Sequence, residues 1–263
     1  MTSICPQPKG FLNVGSICYW NSLIQCLLSS KHFIKAASTV PAIKNLLAQH
    51  KQTDLVNAQI DLLRGVMKVR PNFGHGQEDI HEGLAFLLET LPKEVQNLFL
   101  LRIEDHVVCR NCRKAVSKVN DINFCYEFYK TDGITTPEDF GSALLKNIEK
   151  LDGYTCEKCK MRKCSIIHCM VRAPEILVII FNKYATKRAQ YFPETIELPV
   201  KPNPLTYKLV GQAEHSGGQG GGHYWARCLR DDKVYNCNDG SVSNSQFSNT
   251  PETYAIFYEL IKN

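Results

Sequence analysis

The sequence predicts an α+β fold, with helices first and strands after. Apolar residues recur at helical spacing through the first third, β-branched and aromatic runs dominate from about Arg102, and no repeat or low-complexity linker divides the chain.

The first helix is read in "FLNVGSICYWNSLIQCLL", Phe11 to Leu28. A glycine-punctuated turn gives way to Trp20, Leu23, Ile24, Leu27 and Leu28 at i, i+3, i+4, i+7 and i+8, so an amphipathic helix is expected from about Cys18. "VPAIKNLLAQH", "LVNAQIDLLRGVMK" and "EDIHEGLAFLLETLPKEV" continue the pattern, the last through Ile80, Leu84, Leu87, Leu88 and Leu91. Strands are expected in "HVVCRNC", "AVSKVNDINFCYEFY", "KCSIIHCMVRAPEILVIIFNKY", "TIELPV", "TYKLVGQAEH", "HYWARCLRDDKVYNCND" and "TYAIFYEL". One helix, "TPEDFGSALLKNIEK", interrupts them. In "GGQGGGH", Gly217 to His223, five glycines in six residues precede a histidine; the run reads as a long hairpin turn or as a mobile loop beside something important.

Hydrophobic residues make up 44% of the 263 positions, enough for a sizeable core. The longest aliphatic run, "ILVIIF" (Ile176 to Phe181), is far short of the about 20 apolar residues a bilayer requires, and is expected to be a buried strand. No membrane association is expected. Net charge is a mild +5, and Lys and Arg are interleaved with Glu and Asp, so nucleic-acid binding is not indicated. The start, "MTSICPQPKG", has no basic region followed by an apolar one, so no secretory signal is read there. Twelve cysteines in such a chain suit a reducing compartment, cytoplasmic and/or nuclear. There they are apolar filler, metal ligands or nucleophiles, and spacing must sort them.

Cys18 falls where its helix begins, and the unpaired N–H groups of a helix N-terminus favour a thiolate over a thiol. The bland alternative is a small buried hydrophobe. A nucleophilic cysteine needs a base, and His223 stands far away in sequence at the start of an extended run, as such partners do. Asn238 and Asp239, at the end of the next strand, supply an orienting acceptor, which makes a papain-type order of Cys, His and Asn or Asp. Asn13, just upstream of the cysteine, is an amide able to donate to a developing oxyanion. Separately, "CRNC" (Cys109, Cys112) and "CEKC" (Cys156, Cys159) are two C-x2-C knuckles, the spacing with which two thiolates reach one zinc ion. Their wide separation places them at the caps of two hairpins of an extended sheet, with Cys164 a competing ligand. Four thiolates leave no open position, so the zinc is expected to be structural.

These residues resemble a family. "FLNVGSICYWNSLIQCLL" is similar to the Cys box of the ubiquitin-specific proteases, G-L-x-N-L-G-N-T-C-Y-M-N-S-x-L-Q, and "HSGGQGGGHYWARC…YNCNDGSV" to their His box. Between the boxes, "GQEDIHEGLAFLLETL" resembles Q-Q-D-A-H-E, the cysteine pairs fall where that family places its zinc fingers, and "APEILVIIFNKY" and "TYAIFYEL" resemble two of its strands. The likeness runs from Lys9 to Leu260. It departs at Ser16-Ile17, Trp20, Gly76 and Gly83, none of which removes a catalytic group.

The resemblance implies a papain-like cysteine protease fold: a helical thumb to about residue 105, zinc-binding β fingers over about 106–170 and a β palm over about 171–263, after a short tail at 1–9. It implies a monomeric deubiquitinase acting on ubiquitin and ubiquitinated proteins, with one structural zinc. By the same resemblance Cys18 is the nucleophile, His223 the general base, Asn238 the residue that holds the imidazole, Asp239 an assisting acid and Asn13 the oxyanion donor. Asp79, Gln77, His215 and Tyr224 are the substrate-binding residues: Asp79 meets the basic ubiquitin tail Leu-Arg-Leu-Arg-Gly-Gly, and His215 with the glycines after it forms a loop closing over that tail. Simpler readings stand beside these: Asp79 as an acidic residue in the first turn of its helix, His215 as a solvated loop residue. Two other functions share the fold, a protease for a ubiquitin-like modifier and a non-catalytic ubiquitin-binding scaffold.

Overall fold

The computed structural model describes residues 7–48, 51–128, 133–181, 188–200, 203–218 and 221–261, with 116–122 described by backbone alone. Six helices come first: α1 (Cys18–Leu27), α2 (Lys31–Ala36), α3 (Pro41–Ala48), α4 (Gln52–Val69), α5 (Ile80–Thr90) and α6 (Lys93–Phe99). The expected helix through Leu91 and Val95 is two helices, because a residue before proline avoids the helical region. Leu91 accordingly adopts ψ 160° ahead of Pro92. Helix α2, which periodicity did not reveal, starts where the Ser30 side chain accepts from the Phe33 N–H at 3.1 Å.

Helix α1 keeps its apolar stripe but has no exposed face. All ten of its residues are buried, since it lies against α5 on one side and the large sheet on the other. Three of its polar side chains are satisfied individually: Asn21 Nδ2 donates to Phe11 O (3.1 Å), Gln25 Nε2 to Lys9 O (2.8 Å) and Trp20 Nε1 to Gln59 O (3.2 Å), whereas the buried Tyr19 hydroxyl has no partner among the described residues.

The strands are β1 (Leu101–Cys109), β2 (Ala115–Asn123), β3 (Tyr126–Phe128), β4 (Lys146–Leu151), β5 (Cys164–Arg172), β6 (Ile176–Phe181), β7 (Thr195–Leu198), β8 (Leu205–Gly218), β9 (Gly221–Arg230), β10 (Lys233–Asn238), β11 (Ser241–Ser245) and β12 (Thr253–Leu260). One sheet has the order β2-β1-β5-β4; the larger runs β11-β10-β9-β8-β12-β6-β3, with β7 on β8. As its composition predicted, β6 is buried at every residue.

Helix α7 (Pro137–Leu145) begins as expected, with the Thr136 hydroxyl capping Asp139 N–H at 3.1 Å, but the "KNIEK" that should continue it is strand β4. Residues Lys146 to Leu151 pair antiparallel with Cys169 to Cys164, so ladder formation overrides local helix preference. Strand β3 and helix α7 also lie outside the four-stranded sheet: β3 runs parallel to β6, and Gly141 of α7 packs so close to the Glu197 carbonyl that a Cβ there would stand 2.5 Å from its oxygen. No helix among the described residues is long and apolar enough to cross a membrane.

Candidate active site

Three elements converge. Cys18 opens α1, after a turn in which Gly15 (φ 133°) and Ser16 (φ 54°) take left-handed backbone and Asn13 Oδ1 accepts the Ile17 N–H at 3.0 Å. His223 lies in β9 and Asn238 ends β10, its antiparallel neighbour. The Cys18 thiol is 3% exposed, and burial pushes its pKa up; the Tyr224 backbone N–H opposes that, while the nearby Asp239 charge adds to it. The thiol therefore meets β9 at the residue following His223. In the imidazole of His223, Nε2 lies 2.7 Å from Asn238 Oδ1. An amide oxygen only accepts, so we assign the proton to Nε2, which leaves Nδ1 as the basic nitrogen. The ring is stacked with Trp225 at 6.2 Å.

Asp239 does more than stand near the imidazole, whose Nε2 is 4.0 Å from its Oδ2. Its Oδ1 accepts from Asn21 Nδ2 (2.8 Å), its Oδ2 from Asn13 Nδ2 (3.1 Å) and its backbone oxygen from Phe11 N–H (2.8 Å). One carboxylate thus ties the strand that carries Asn238 to the segment leading into Cys18. Asn13 spends one of its two amide hydrogens on this tie. Asn21, which also accepts from Gln59 Nε2, was missed from sequence. A polar residue inside an apolar helical run was its only signal.

A cleft of about 250 Å³ runs up to Cys18. Gln77, Glu78, Asp79 and Glu82 line one wall, and His215, Tyr224 and the hairpin glycines the other. Asp79 is the N-cap of α5, not a first-turn residue: its Oδ1 accepts the His81 N–H (2.7 Å) and its Oδ2 the Tyr254 hydroxyl (2.5 Å). Gln77 spans the cleft in both directions, Nε2 donating to Gly222 O (3.0 Å) and Oε1 accepting from Gly222 N–H (2.8 Å).

His215 is neither a loop residue nor solvated. It is 3% exposed in β8, opposite Tyr224, with ring centroids 4.4 Å apart. The glycines are largely strand as well, pairing Gly217 with Gly222 and Gly218 with Gly221; Gln219 and Gly220 lie outside the described residues. Glycine is required at 222 because a Cβ would come 2.4 Å from His215 Nε2. A larger cavity, about 400 Å³, lies between α5 and β1 around Asp105 and His168 and contains none of the catalytic, substrate-binding or metal-binding residues expected from sequence.

The four knuckle cysteines meet at the far end of the smaller sheet, Cys109 and Cys112 on the β1–β2 turn and Cys156 and Cys159 on the β4–β5 turn. Their sulfurs all lie within 4.8 Å of one another, with Cys109–Cys159 and Cys112–Cys156 both at 3.6 Å. A tetrahedron of thiolates at the usual zinc distance has edges of about 3.8 Å, so the set fits a metal ion. Backbone amides of Cys112, Cys159 and Met161 hold the Cys109, Cys156 and Cys159 thiols, respectively, below the ordinary range. Cys164 is buried beside the cluster and outside the four.

Against known proteins, the family model described as ubiquitin carboxyl-terminal hydrolase matches residues 9–258. Similar curated proteins include probable ubiquitin carboxyl-terminal hydrolase 16 of Schizosaccharomyces pombe, 23% identical over 98% of this chain and 68% of its own length. Ubiquitin carboxyl-terminal hydrolase 2 of Bos taurus is 23% identical over 95% of this chain and 55% of its own. The chain thus spans about half to two thirds of these relatives. Among solved structures, the SAGA Ubp8/Sgf11/Sus1/Sgf73 DUB module bound to ubiquitin aldehyde superposes with TM-score 0.75 at 20% identity, over 100% of this chain and 71% of that one. The Ubp8-Sgf11-Sgf73-Sus1 SAGA DUB module gives TM-score 0.70 at 18% identity, over 97% of this chain and 68% of that one. At these identities the likeness speaks for the fold.

Proposed function

The chain belongs to the ubiquitin carboxyl-terminal hydrolase family, and from that premise we propose that it is a thiol deubiquitinase that cleaves the (iso)peptide bond after the last glycine of ubiquitin. The observation that carries this is the meeting of α1, β9 and β10: a thiol against the Tyr224 amide, and an imidazole whose Nε2 is held by Asn238.

His223 Nδ1 takes the Cys18 proton, a requirement here because burial holds the thiol protonated. The thiolate attacks the carbonyl carbon of the terminal glycine. Charge collecting on the carbonyl oxygen is met by N–H groups at the start of α1 and by the remaining amide hydrogen of Asn13. The imidazolium returns its proton to the departing amine, the C–N bond breaks, and a thioester remains. Water, deprotonated by the same nitrogen, hydrolyses the thioester and frees Cys18.

Glu78, Asp79 and Glu82 on one wall suit a cationic tail, and the narrow glycine wall suits a terminus without side chains. Gln77, His215 and Tyr224 shape the channel. In the family's terms the helical layer serves as thumb, the four-stranded sheet as fingers and the eight-stranded sheet as palm, with boundaries near 105 and 170. Cys109, Cys112, Cys156 and Cys159 would hold one zinc ion, which supplies folding energy to the fingers and no chemistry. A panel of electrophilic probes carrying the tails of ubiquitin and its relatives tests the proposal: labelling of Cys18 by the ubiquitin probe above the others supports it. Preferred labelling by a relative's tail would assign a ubiquitin-like modifier, and no labelling a scaffold.

A further inference from the structure

Folding gathers charge that the sequence spreads. In the two turns that close on the four cysteines, residues 110–114 and 152–163, the side chains of Arg110, Arg113, Lys114, Lys158, Lys160, Arg162 and Lys163 are exposed, with Asp152 and Glu157 the acids among them. These turns hold seven of the chain's 31 cations and two of its 26 acids, which leaves 24 cations against 24 acids everywhere else. The ion pairs that lysine and arginine make among the described residues involve Arg64, Arg70, Lys208 and Arg227, none of them here.

The backbone holds this tip in one shape. Arg110 N–H donates to Lys163 O at 2.7 Å, which sets the two turns side by side. Arg113 and Lys160, each following the second cysteine of a knuckle, have left-handed φ of 58° and 60°. Glycine or asparagine is least strained at such positions, yet both carry a cation. Tyr154 and Met161 are exposed at the same tip. A divalent ion in four thiolates would carry a net charge of about −2, so after that charge and the two acids an excess of about three cations remains.

We propose that this tip binds the phosphate backbone of duplex nucleic acid. Four strand ends at a spacing of about 4.8 Å span about 14 Å. A duplex presents about eight charges over that length, at one per 1.7 Å of axis. An extended acidic peptide offers about four residues over the same span, at about 3.4 Å each, and so matches the excess only if about three in four are acidic. Arginine and lysine on fixed turns meet phosphate oxygens with charge-assisted hydrogen bonds, and no base need be read. The surface is separate from the cleft at Cys18, so nucleic acid and a ubiquitin tail bind together.

Fluorescence-anisotropy titration of labelled DNA and RNA duplexes of about 20 base pairs, with protein purified without chelator, tests this. Three phosphate contacts predict that log K falls against log salt with a slope of about −2.7. The variant Arg113→Asn/Lys158→Gln/Lys160→Asn/Arg162→Gln keeps residues tolerant of left-handed backbone at 113 and 160. It should weaken binding in low salt more than about tenfold and flatten the slope toward zero, with turnover of a ubiquitin tail substrate unchanged. If that variant loses its metal, Lys158→Gln/Arg162→Gln alone should shrink the slope by about 1.8. A parent protein without salt-dependent binding, variants with the parent's slope, or polyglutamate competing as well as duplex would overturn the proposal, the last by assigning the tip to an acidic protein surface.

Discussion

Cys18 and His223 are individually ordinary: one a buried cysteine, the other a half-exposed histidine. Their meaning comes from what each faces. Cys18→Ala should abolish turnover of a fluorogenic ubiquitin substrate while leaving ubiquitin binding in place. His223→Ala should cost about 10² to 10⁴ in kcat/KM, and Asn238→Ala less, because water is able to orient the imidazole in part. A dead Asn238→Ala beside an active His223→Ala would reverse the roles. The pH dependence has a definite sign. With its pKa raised by burial, Cys18 without its base should be alkylated by iodoacetamide only above the ordinary thiol range of about 8.5, whereas the parent reacts at lower pH. Asp239 differs from its exposed neighbour Asn238. Asp239→Ala strips acceptors from Asn13 and from buried Asn21, so it should lower the denaturant midpoint by an equivalent of about 1–3 kcal/mol as well as slow turnover. Sequence adjacency suggested one shared task for these two residues. Only the long-range contacts, 218 and 226 positions away, separate them.

Elements carry the next set of consequences. Asp79 caps α5 and also faces the cleft, so a single substitution confounds two roles. Asp79→Asn keeps a capping oxygen while removing charge, and should weaken ubiquitin binding with little change in melting temperature. Asp79→Ala should do both, at an extra stability cost of about 1 kcal/mol. Cys18 alkylation by a small reagent reports whether the fold survives; equal loss of binding and alkylation in Asp79→Asn would point to misfolding. At the tip of the smaller sheet, Cys109→Ser should remove the metal and destabilise β1, β2, β4 and β5, whereas Cys164→Ser should retain it, since its sulfur lies outside the set of four. Elemental analysis decides between them: less than about half an equivalent of zinc in the parent would speak against the site. Helices α1, α3, α4 and α5 were legible because an apolar repeat is written in neighbouring residues. Strand β4 was not, because "KNIEK" becomes a strand only when β5 is there to pair with it.

At the scale of the whole molecule, the site exists only while the helical layer stays docked on the large sheet. Arg230, 3% exposed at the end of β9, is the polar bolt between them: its guanidinium donates to Gln25 O (2.9 Å), Gln25 Oε1 (3.2 Å) and the Ser29 hydroxyl, all in or just after α1. Close by, a Cβ on Gly211 of β8 would stand 3.0 Å from Cys26 Cβ, so α1 and the sheet approach nearly to backbone contact. Arg230→Ala strands these acceptors and should cost about 3 kcal/mol. Because it is remote from the chemistry, its loss of turnover should follow the unfolded fraction measured by circular dichroism across a denaturant series. A turnover defect under fully native conditions would mean that Arg230 also sets the angle between α1 and β9.

The sequence by itself determined the class of fold, the order of helices before strands, and the chemical groups on offer: a cysteine at a helix start, a distant histidine, an amide one hairpin on and two paired cysteine knuckles. Those properties lie within single segments, where periodicity, capping and ligand spacing act between residues a few positions apart. Tertiary structure alone decided that α1 is buried on every side, that His215 lies in the core under Gly222, that Asp239 binds the segment before Cys18, and that seven cations share one tip. Each depends on segments far apart in the chain. A polar group's role follows from which partner desolvates it and which satisfies it, and a charge's effect from its neighbours in space.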